Sequence, residues 1–295
     1  MATLRELKTR IGSVASSEKI TGAMKMISSA KMHKAEMSLR RLQPFRRQVE
    51  SIIGTLLTAD AEFSSPLLEE RPVAKVTIVV FGSDDGLCGA YNNNIFKALI
   101  EHIGHLRESF GRDTAIELYP IGKKMLKACE KLHHSDGITV TTVEGVDSKT
   151  CGDGVRDFAD SLCRQFAEGE TDRVDCLYMG FHSVSRQRTS AEQLLPVVAS
   201  TLSDNGVVAD VRPCIFEPDA QTIFESVLPM FIMSVMHDVF TENRASEQAA
   251  RVMAMQSAND NAKKLLEQLQ LEYNKLRQQS ITTELLDIVG GQRRD

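Results

Sequence analysis

The sequence predicts an α/β protein in which a Rossmann-like globular domain carries a long antiparallel coiled coil of its own N- and C-terminal helices. Two observations support this prediction. Both ends of the chain place apolar residues at alternating spacings of three and four, and the middle alternates short apolar runs with segments of helical periodicity. We expect three parts: an N-terminal coiled-coil helix of residues 1–58, an α/β globular domain of residues 74–213, and a C-terminal coiled-coil helix of residues 216–290.

Charge is distributed unevenly along the chain. The protein has 295 residues, of which 42% are hydrophobic, and a formal net charge of −5. A chain of this size can bury a substantial core. Residues 1–60 hold eleven Lys and Arg against five Asp and Glu, whereas residues 61–243 hold sixteen against twenty-eight. The first helix is therefore basic, and the middle of the chain is acidic.

Cysteine spacing and hydropathy indicate the cellular compartment. The six cysteines include no Cys-x-x-Cys pair, and the N-terminus lacks the apolar core of a signal peptide. We therefore expect reduced thiols and a bacterial cytosolic setting. The longest apolar run, residues 227–236, is shorter than the roughly twenty residues that a membrane span needs, and Pro229 interrupts it. We expect contact with a membrane only through a partner.

The N-terminal helix is predicted to cover residues 3–57, with Thr3 as its cap. Its apolar seam is Leu4, Leu7, Ile11 and Val14, then a register break, then Ala35, Ser38, Leu42, Phe45, Val49, Ile52 and Leu56. Residues 19–31 are rich in Met, Ala, Ser and Lys, which fits either a solvated basic face or a face that binds a partner. Nucleic acid is not an expected partner, because no Arg and aromatic residues are interleaved there.

The middle of the chain alternates predicted strands and helices. Strand-like runs lie at residues 76–81, 116–120, 138–143 and 173–183, and helical segments at residues 92–109, 123–133 and 153–167. This order favours a parallel, doubly wound sheet. Residues 193–198 contain a proline and are predicted to form an edge strand, where proline is tolerated. Residues 200–213 are predicted to be a polar loop.

The last helix is predicted to begin after an Asp219 cap and to continue into the C-terminal seam. That seam consists of Val252, Met255, Asn259, Ala262, Leu266, Leu269, Tyr273 and Leu276. Asn259 is either a functional polar contact or, as is commoner for a seam Asn, a residue that fixes the register. Beyond the seam, the tip of the helix (residues 281–289) is apolar except for Glu284 and Asp287. Such an end is either buried in its own protein or inserted into a partner.

No stretch of the sequence indicates catalysis. The loop of residues 82–89 follows the first strand, where open α/β sheets bind ligands. It lacks both common phosphate-binding glycine patterns, and Asp84 and Asp85 would repel a phosphate, so we interpret it as a structural turn. The histidines do not have metal-ligand spacing: His102, His105, His133 and His134. We predict no catalytic residue, metal or cofactor. A dinucleotide-dependent enzyme, and a coiled-coil tether or nucleic-acid binder, remain as alternatives.

Three blocks of sequence resemble the gamma subunit of F-type ATP synthases. KITGAMKMI at residues 19–27 resembles that family's K-I-T-x-A-M-K-M-V run. DDGLCGAYN at residues 84–92 resembles its D-R-G-L-C-G-G-F/Y-N run, with Asp85 in place of the usual Arg. SEQAAR at residues 246–251, LEYNKLRQ at residues 271–278 and ITTELLDIVGG at residues 281–291 resemble its C-terminal signature. The resemblance covers essentially the whole chain.

This resemblance implies a central rotor stalk inside a ring of three alpha and three beta subunits, with the globular domain on the c-ring beside the epsilon subunit. The stalk would couple ion (proton) flow through the c-ring to ATP synthesis or hydrolysis at the alpha/beta sites, without catalysis of its own. Its implied location is peripheral, at the cytoplasmic face of the bacterial plasma (inner) membrane. The residues that the resemblance assigns to the interface with the alpha/beta ring are Met24, Lys25, Arg251, Arg277, Gln278, Thr282, Glu284, Leu285, Leu286, Ile288 and Val289.

Overall fold

A computed structural model describes residues 3–57, 65–133, 137–197 and 216–291. Five longer helices and five strands follow one another in the described residues, with short 3₁₀ turns at Pro66–Leu68 and Glu130–Leu132. Their order is α1 (Leu4–Leu57), β1 (Lys75–Phe81), α2 (Tyr91–Phe110), β2 (Ala115–Ile121), α3 (Lys123–Cys129), β3 (Ile138–Val140), α4 (Asp153–Ala167), β4 (Arg173–Ser183), β5 (Arg186–Leu195) and α5 (Ala220–Gly291). The predicted polar loop at residues 200–213 lies outside the described residues.

The five strands form one sheet in the order β3-β2-β1-β4-β5. Strands β1 to β4 are parallel, as predicted, but β5 is antiparallel to β4. Only Val184 and Ser185 separate these two strands, and a connection this short permits only a hairpin. Residues 193–195 of the predicted edge strand are therefore the end of a longer strand that begins at Arg186, whereas Pro196 and Val197 follow it and Val198 lies outside the described residues. Most of β5 is polar, so an apolar pattern could not reveal it.

Apolar side chains cover both faces of the sheet. Along β1, Val79 and Phe81 point to one core, whereas Ile78 and Val80 point to the other, as the period of two requires. Helices α2 and α3 cover one face. The other face is covered by α4, the end of α1 and the first part of α5. Both terminal helices are thus anchored in the core of the globular domain.

The C-terminal helix begins as predicted at an Asp219 cap. The Thr222 backbone N–H donates to Asp219 Oδ1 at 2.8 Å, which satisfies one of the donors that a helix start leaves free. From Ala220, α5 runs for 72 residues without interruption, through Pro229. At 1.5 Å per residue, α5 is about 108 Å long and the 54-residue α1 about 81 Å.

The two terminal helices pair antiparallel, which confirms the predicted coiled coil. A Cβ at Gly22 would lie 3.3 Å from Asn259 Nδ2, and farther along α1 both Ala35 and Leu39 cluster with Ala245. We call this pair the shaft (residues 4–42 of α1 and 245–291 of α5). Every predicted residue of the C-terminal seam is buried or half-buried: Val252, Met255, Asn259, Ala262, Leu266, Leu269, Tyr273 and Leu276.

The predicted register break in α1 is wrong. Buried and half-buried side chains continue the three/four spacing without interruption from Leu4 to Leu56. Polar residues occupy the seam where the apolar pattern fades: Glu18, Thr21, Lys25 and Ser28. Farther on, Leu39 and Ile53 fill the seam, whereas Ser38 and Phe45, which we assigned to it, are exposed. A pattern of apolar residues alone cannot follow a seam through polar positions.

By length and composition, one helix in the described part of the chain is apolar enough to cross a membrane. An 18-residue window of α5 reaches a mean hydropathy of 1.4, and 56% of that window is buried inside the protein. A core helix passes the same test, and the first part of α5 packs in the core of the globular domain.

Candidate partner interface

The tip of α5 extends beyond its partner helix. Because Gly22 faces Asn259 in an antiparallel pair, Leu4 lies at the level of roughly residue 277, and among the described residues α1 does not extend farther. About 14 residues of α5, or roughly 21 Å, therefore project as a single helix. Four apolar side chains are exposed there: Ile281 (46%), Leu285 (57%), Leu286 (65%) and Ile288 (64%). The side chain of Val289 lies outside the described part.

The polar residues assigned to the interface also lie on or next to this tip. Arg277, Gln278, Thr282 and Glu284 are all exposed. The Thr282 hydroxyl donates to the Gln278 carbonyl oxygen at 2.9 Å, and Glu284 accepts a 3.4 Å hydrogen bond from Ser280, one turn back on the same helix. These bonds are local to the helix, so the outer surface remains available to a partner.

A second exposed apolar patch lies on α1, next to the predicted contact residues. Lys25 is half-buried in the seam and Met24 is half-buried beside it, whereas Ile20, Met26 and Ile27 are more than half exposed. Sequence reasoning did not select these three residues. An uninterrupted heptad through residues 18–28 would have placed them off the seam, as apolar residues facing outward.

Arg251 occupies a different position from the one predicted. It is 5% exposed, and its guanidinium donates to Glu247 Oε1 at 2.6 Å and, at 3.2 Å, to the backbone carbonyls of Asp85 and Gly86. These acceptors belong to α5 itself and to the loop of residues 82–89. Within the chain, Arg251 therefore clamps that loop onto the shaft instead of facing outward. Sequence spacing could not show the contact with the loop, since Asp85 and Gly86 lie more than 160 residues away.

A second clamp joins the same loop to α5. Tyr91 and Asn243 are both buried, and the Tyr91 hydroxyl donates to Asn243 Oδ1 at 2.5 Å. The Asn243 side chain in turn donates to the Gly82 carbonyl oxygen at 3.1 Å. Burial raises the pKa of Tyr91 well above its ordinary value, so the phenol stays a hydrogen-bond donor. Through Asn243, α5 is thus hydrogen-bonded both to the end of β1 and to the start of α2, just before the shaft begins.

The loop itself is held as a structural turn. Asp84 accepts hydrogen bonds from the Lys123 backbone N–H at 3.0 Å and the Ser148 hydroxyl at 2.6 Å. Partial burial acts to raise the pKa of Asp84, but these hydrogen bonds outweigh it and the pKa lies below its ordinary value. Asp84 therefore joins this loop to the start of α3 and to Ser148, which is the arrangement of a structural turn.

A carboxylate cluster surrounds Arg46 where α1 enters the globular domain. Its guanidinium contacts Glu50 at 2.8 Å, Asp238 at 3.2 Å and Glu192 at 3.4 Å. Glu242 lies nearby on α5 and accepts a 3.4 Å hydrogen bond from the Phe181 backbone N–H. Burial raises the pKa of Glu242 to about 7, and the neighbouring carboxylates add to the effect. One cation therefore ties α1, β5 and α5 together.

The described residues hold no group of three or more His, Cys, Asp or Glu that could bind a metal ion. Of the histidines noted in the sequence, His102 lies 2.8 Å from the buried Asp175, which also accepts a hydrogen bond from Arg173. His105 is exposed beside Glu108. His133 Nδ1 accepts from the Val140 backbone N–H at 3.2 Å, and His134 lies outside the described residues.

Comparisons with known proteins agree with this geometry. A family model described as ATP synthase matches residues 3–293. The ATP synthase gamma chain of Bacteroides fragilis strain YCH46 is 40% identical over 295 residues, and that of Cupriavidus necator is 35% identical over 293 residues; each alignment covers 99% of both chains.

Solved structures show the same fold. A chain of the Euglena gracilis mitochondrial ATP synthase, in a structure of OSCP/F1/c-ring, has a TM-score of 0.63 at 20% identity, with 98% of this chain and 93% of that chain covered. A chain of the Tetrahymena thermophila mitochondrial ATP synthase central stalk/c-ring has a TM-score of 0.56 at 22% identity, with 81% and 99% covered. Since the family model and the relatives match over the full length, the chain belongs to the ATP synthase gamma chain family.

Proposed function

We propose that this chain is the central rotor stalk of an F-type ATP synthase, coupling ion (proton) flow through the membrane ring to ATP synthesis or hydrolysis on other subunits. One observation carries the proposal: both ends of the chain form one shaft that is rooted in the globular domain and ends in a bare apolar tip. A shaft of this kind can transmit torque, because both of its helices are anchored in one core.

The clamps at the root of the shaft fit this role. Arg251 and the Tyr91–Asn243 pair fasten α5 to the loop after β1, and Arg46 fastens α1 to α5. Torque applied to the globular domain would otherwise be lost as rotation of one helix against the other. Within the seam, Asn259 Nδ2 donates to the Glu18 carbonyl oxygen at 2.7 Å, which fixes the register of the pair.

The apolar tip is suited to a bearing. Leu285, Leu286 and Ile288 can pack against a surrounding apolar sleeve through dispersion and burial, which have no fixed hydrogen-bond geometry to break at each angle. Hydrogen bonds and ion pairs are directional, so a charged tip would favour particular angles. The proposed contact therefore permits rotation at low cost.

The proposed partners are three alpha and three beta subunits around the shaft, and the c-ring and epsilon subunit at the globular domain. The contact residues proposed for the alpha/beta ring are Met24, Lys25, Arg277, Gln278, Thr282, Glu284, Leu285, Leu286, Ile288 and Val289. Arg251 supports this surface from inside by holding the loop of residues 82–89. The exposed Ile20, Met26 and Ile27 extend the proposed contact around α1.

In the proposed role, the chain acts mechanically and does not itself catalyse a reaction. One elementary charge that crosses a membrane releases only about 2.3 kcal/mol per 100 mV, so several ions must be pooled for each ATP. A shaft whose faces carry different side chains can pool these ions, because each catalytic subunit meets a different face as the shaft turns. Contacts that differ between two conformations of a subunit shift the equilibrium between them. The proposed location is peripheral, at the cytoplasmic face of the bacterial inner membrane.

A rotation assay tests the proposal. The chain is assembled with the alpha and beta subunits of its own organism and the ring is immobilised. A bead is attached to the exposed Lys131→Cys on the globular domain, in a chain whose exposed Cys151 is replaced by Ser. We expect ATP to drive rotation in one direction. Hydrolysis at the full rate by a complex whose bead is held still would contradict the proposal.

Variants of the tip test the bearing separately. Leu285→Asp/Leu286→Asp/Ile288→Asp should slow ATP-driven rotation while leaving the melting temperature of the isolated chain unchanged, because these side chains are exposed. The matched control adds three Asp residues at exposed polar positions of the same helix: Ser257, Gln268 and Gln270. Equal slowing by both triple variants would show that charge alone, and not loss of the apolar tip, is responsible.

A further inference from the structure

A basic cleft lies at the root of the shaft, outside the surfaces assigned above. It has a volume of about 510 Å³ and lies between α1, α5 and the loop of residues 146–152. Five cationic side chains line it: Lys31, Lys34, Arg41, Lys149 and Arg244. The volume is in the range of small-molecule sites, which is about 300–1,000 Å³.

Three separate parts of the chain supply these cations: α1, the loop of residues 146–152 and α5. Lys31, Lys34 and Arg41 are three and seven residues apart on α1, a spacing that puts them on one face of the helix. Across the cleft, Arg244 on α5 donates to the carbonyl oxygens of Ser148, at 3.4 Å, and Thr150, at 3.2 Å. Arg244 therefore holds in place the loop that carries Lys149.

Positive charge dominates the lining although the chain is acidic overall. The two acidic lining residues are Asp85, which lies 3.5 Å from Lys149, and Glu247, which is paired with Arg251 at 2.6 Å. No carboxylate of the described residues forms an ion pair with the three cations on α1. Since the net charge of the protein is −5, this local excess of positive charge is not a general property of the surface.

We propose that this cleft binds a multivalent phosphate anion, such as a di- or triphosphate. A phosphate chain carries several charges on few atoms, and cations on both walls can contact it at once. The Arg41 guanidinium group suits a bidentate contact to phosphate oxygens, whereas Arg244 holds the loop and adds positive charge to the opposite wall. The Ser38 and Thr241 hydroxyl groups in the lining provide further donors. A bound anion would tie α1 to the globular domain and so stiffen the root of the shaft.

Calorimetric titration of the full chain with inorganic pyrophosphate at low salt tests the proposal. We expect saturable binding at one site that weakens with added salt, because exposed charges are screened. The variant Lys34→Gln/Arg41→Gln/Lys149→Gln should bind roughly tenfold or more weakly. The matched control, Lys97→Gln/Lys127→Gln/Lys131→Gln, removes the same charge from exposed positions outside the cleft and should bind like the wild type. Equal weakening in both variants, or no saturable heat, would overturn the proposal.

A second measurement needs no variant. Cys151 is exposed and lines the cleft, so bound pyrophosphate should slow its alkylation by iodoacetamide, as followed by peptide mass. Orthophosphate should protect it less, because it carries fewer charges. An alkylation rate that pyrophosphate leaves unchanged would refute the phosphate site. An acidic hexapeptide that protects Cys151 at a lower concentration than pyrophosphate would also refute it, and would identify the cleft as a protein-docking surface.

Discussion

Replacement of Arg251 by Met tests whether the loop of residues 82–89 is clamped to the shaft. Met retains much of the aliphatic bulk and removes the guanidinium. Arg251 is 5% exposed and Glu247 4% exposed, so the change leaves a buried carboxylate and two backbone carbonyls without their donor. Breaking a buried pair by removing one partner costs about 3–5 kcal/mol. We expect a loss of that size in the free energy of unfolding at pH 8.

The pH dependence of this loss identifies its cause. Burial raises the pKa of Glu247, and Arg251 acts in the opposite direction. Without Arg251 the pKa of Glu247 rises further, so the folded variant binds a proton that the unfolded chain releases. A protonated Glu247 in the folded variant therefore contributes to the free energy of unfolding at low pH, and this contribution is lost as the pH rises. The defect should therefore be smaller at pH 5 than at pH 8.

Urea unfolding followed by circular dichroism at the two pH values measures both effects. Adding Glu247→Gln to Arg251→Met should recover part of the loss, because it removes the unpaired charge. The control Arg277→Met lies on an exposed position of the same helix and should change the free energy of unfolding by less than about 0.5 kcal/mol. A cost below about 0.5 kcal/mol for Arg251→Met at pH 8 would refute the clamp, since surface substitutions reach that size.

Three further predictions follow from the packing. Gly12→Ala should raise the free energy of unfolding by about 0.5–1 kcal/mol, because the new Cβ would have no atom within 4 Å apart from its own helix turn. Gly22→Ala should raise the free energy of unfolding less, or lower it, since its Cβ would lie 3.3 Å from Asn259 Nδ2. Equal gains in the two variants would contradict the close approach at Gly22. The free energy of unfolding should fall between about pH 4.5 and 7, because the Glu242 carboxyl ionises in the unfolded chain while folding keeps it protonated. Glu242→Gln should reduce this fall by up to about 3 kcal/mol in urea titrations. The same dependence on pH in the variant and the wild type would refute the role of Glu242. Truncation after Ser280 should leave the melting temperature of the isolated chain unchanged, because the described side chains among those removed, at residues 281–286 and 288, are exposed. A marked drop would show that the tip packs on its own chain.

The sequence predicts the shaft well wherever its seam is apolar. From Val252 to Leu276 each seam residue is as expected, since all but Asn259 are apolar or aromatic. On α1 the prediction fails between Val14 and Met32, because small and polar residues pack there against a closely approaching helix. Such positions are defined by the partner helix, which a linear pattern does not include.

Tertiary contacts explain the remaining differences. Strand β5 is largely polar, and its position follows from the hairpin with β4 and not from an apolar alternation. Arg251 resembles a surface residue in the sequence, since arginine is rarely buried without a partner. Two of its acceptors lie in a loop more than 160 residues earlier. The basic cleft likewise combines α1 with a loop near residue 149, and no local motif could indicate that combination.

The central claim is that the two ends of the chain form a single shaft that turns as one body. The most direct test is a disulfide between Gly22→Cys and Asn259→Cys, formed with a mild oxidant in the assembled complex. The side chains at these positions face each other across the seam. We expect rapid cross-linking and ATP-driven rotation at the rate of the reduced complex, whereas Gly12→Cys/Asn259→Cys, displaced by about 15 Å along α1, should not cross-link. Failure of the first pair to cross-link, or loss of rotation once it is linked, would contradict the account.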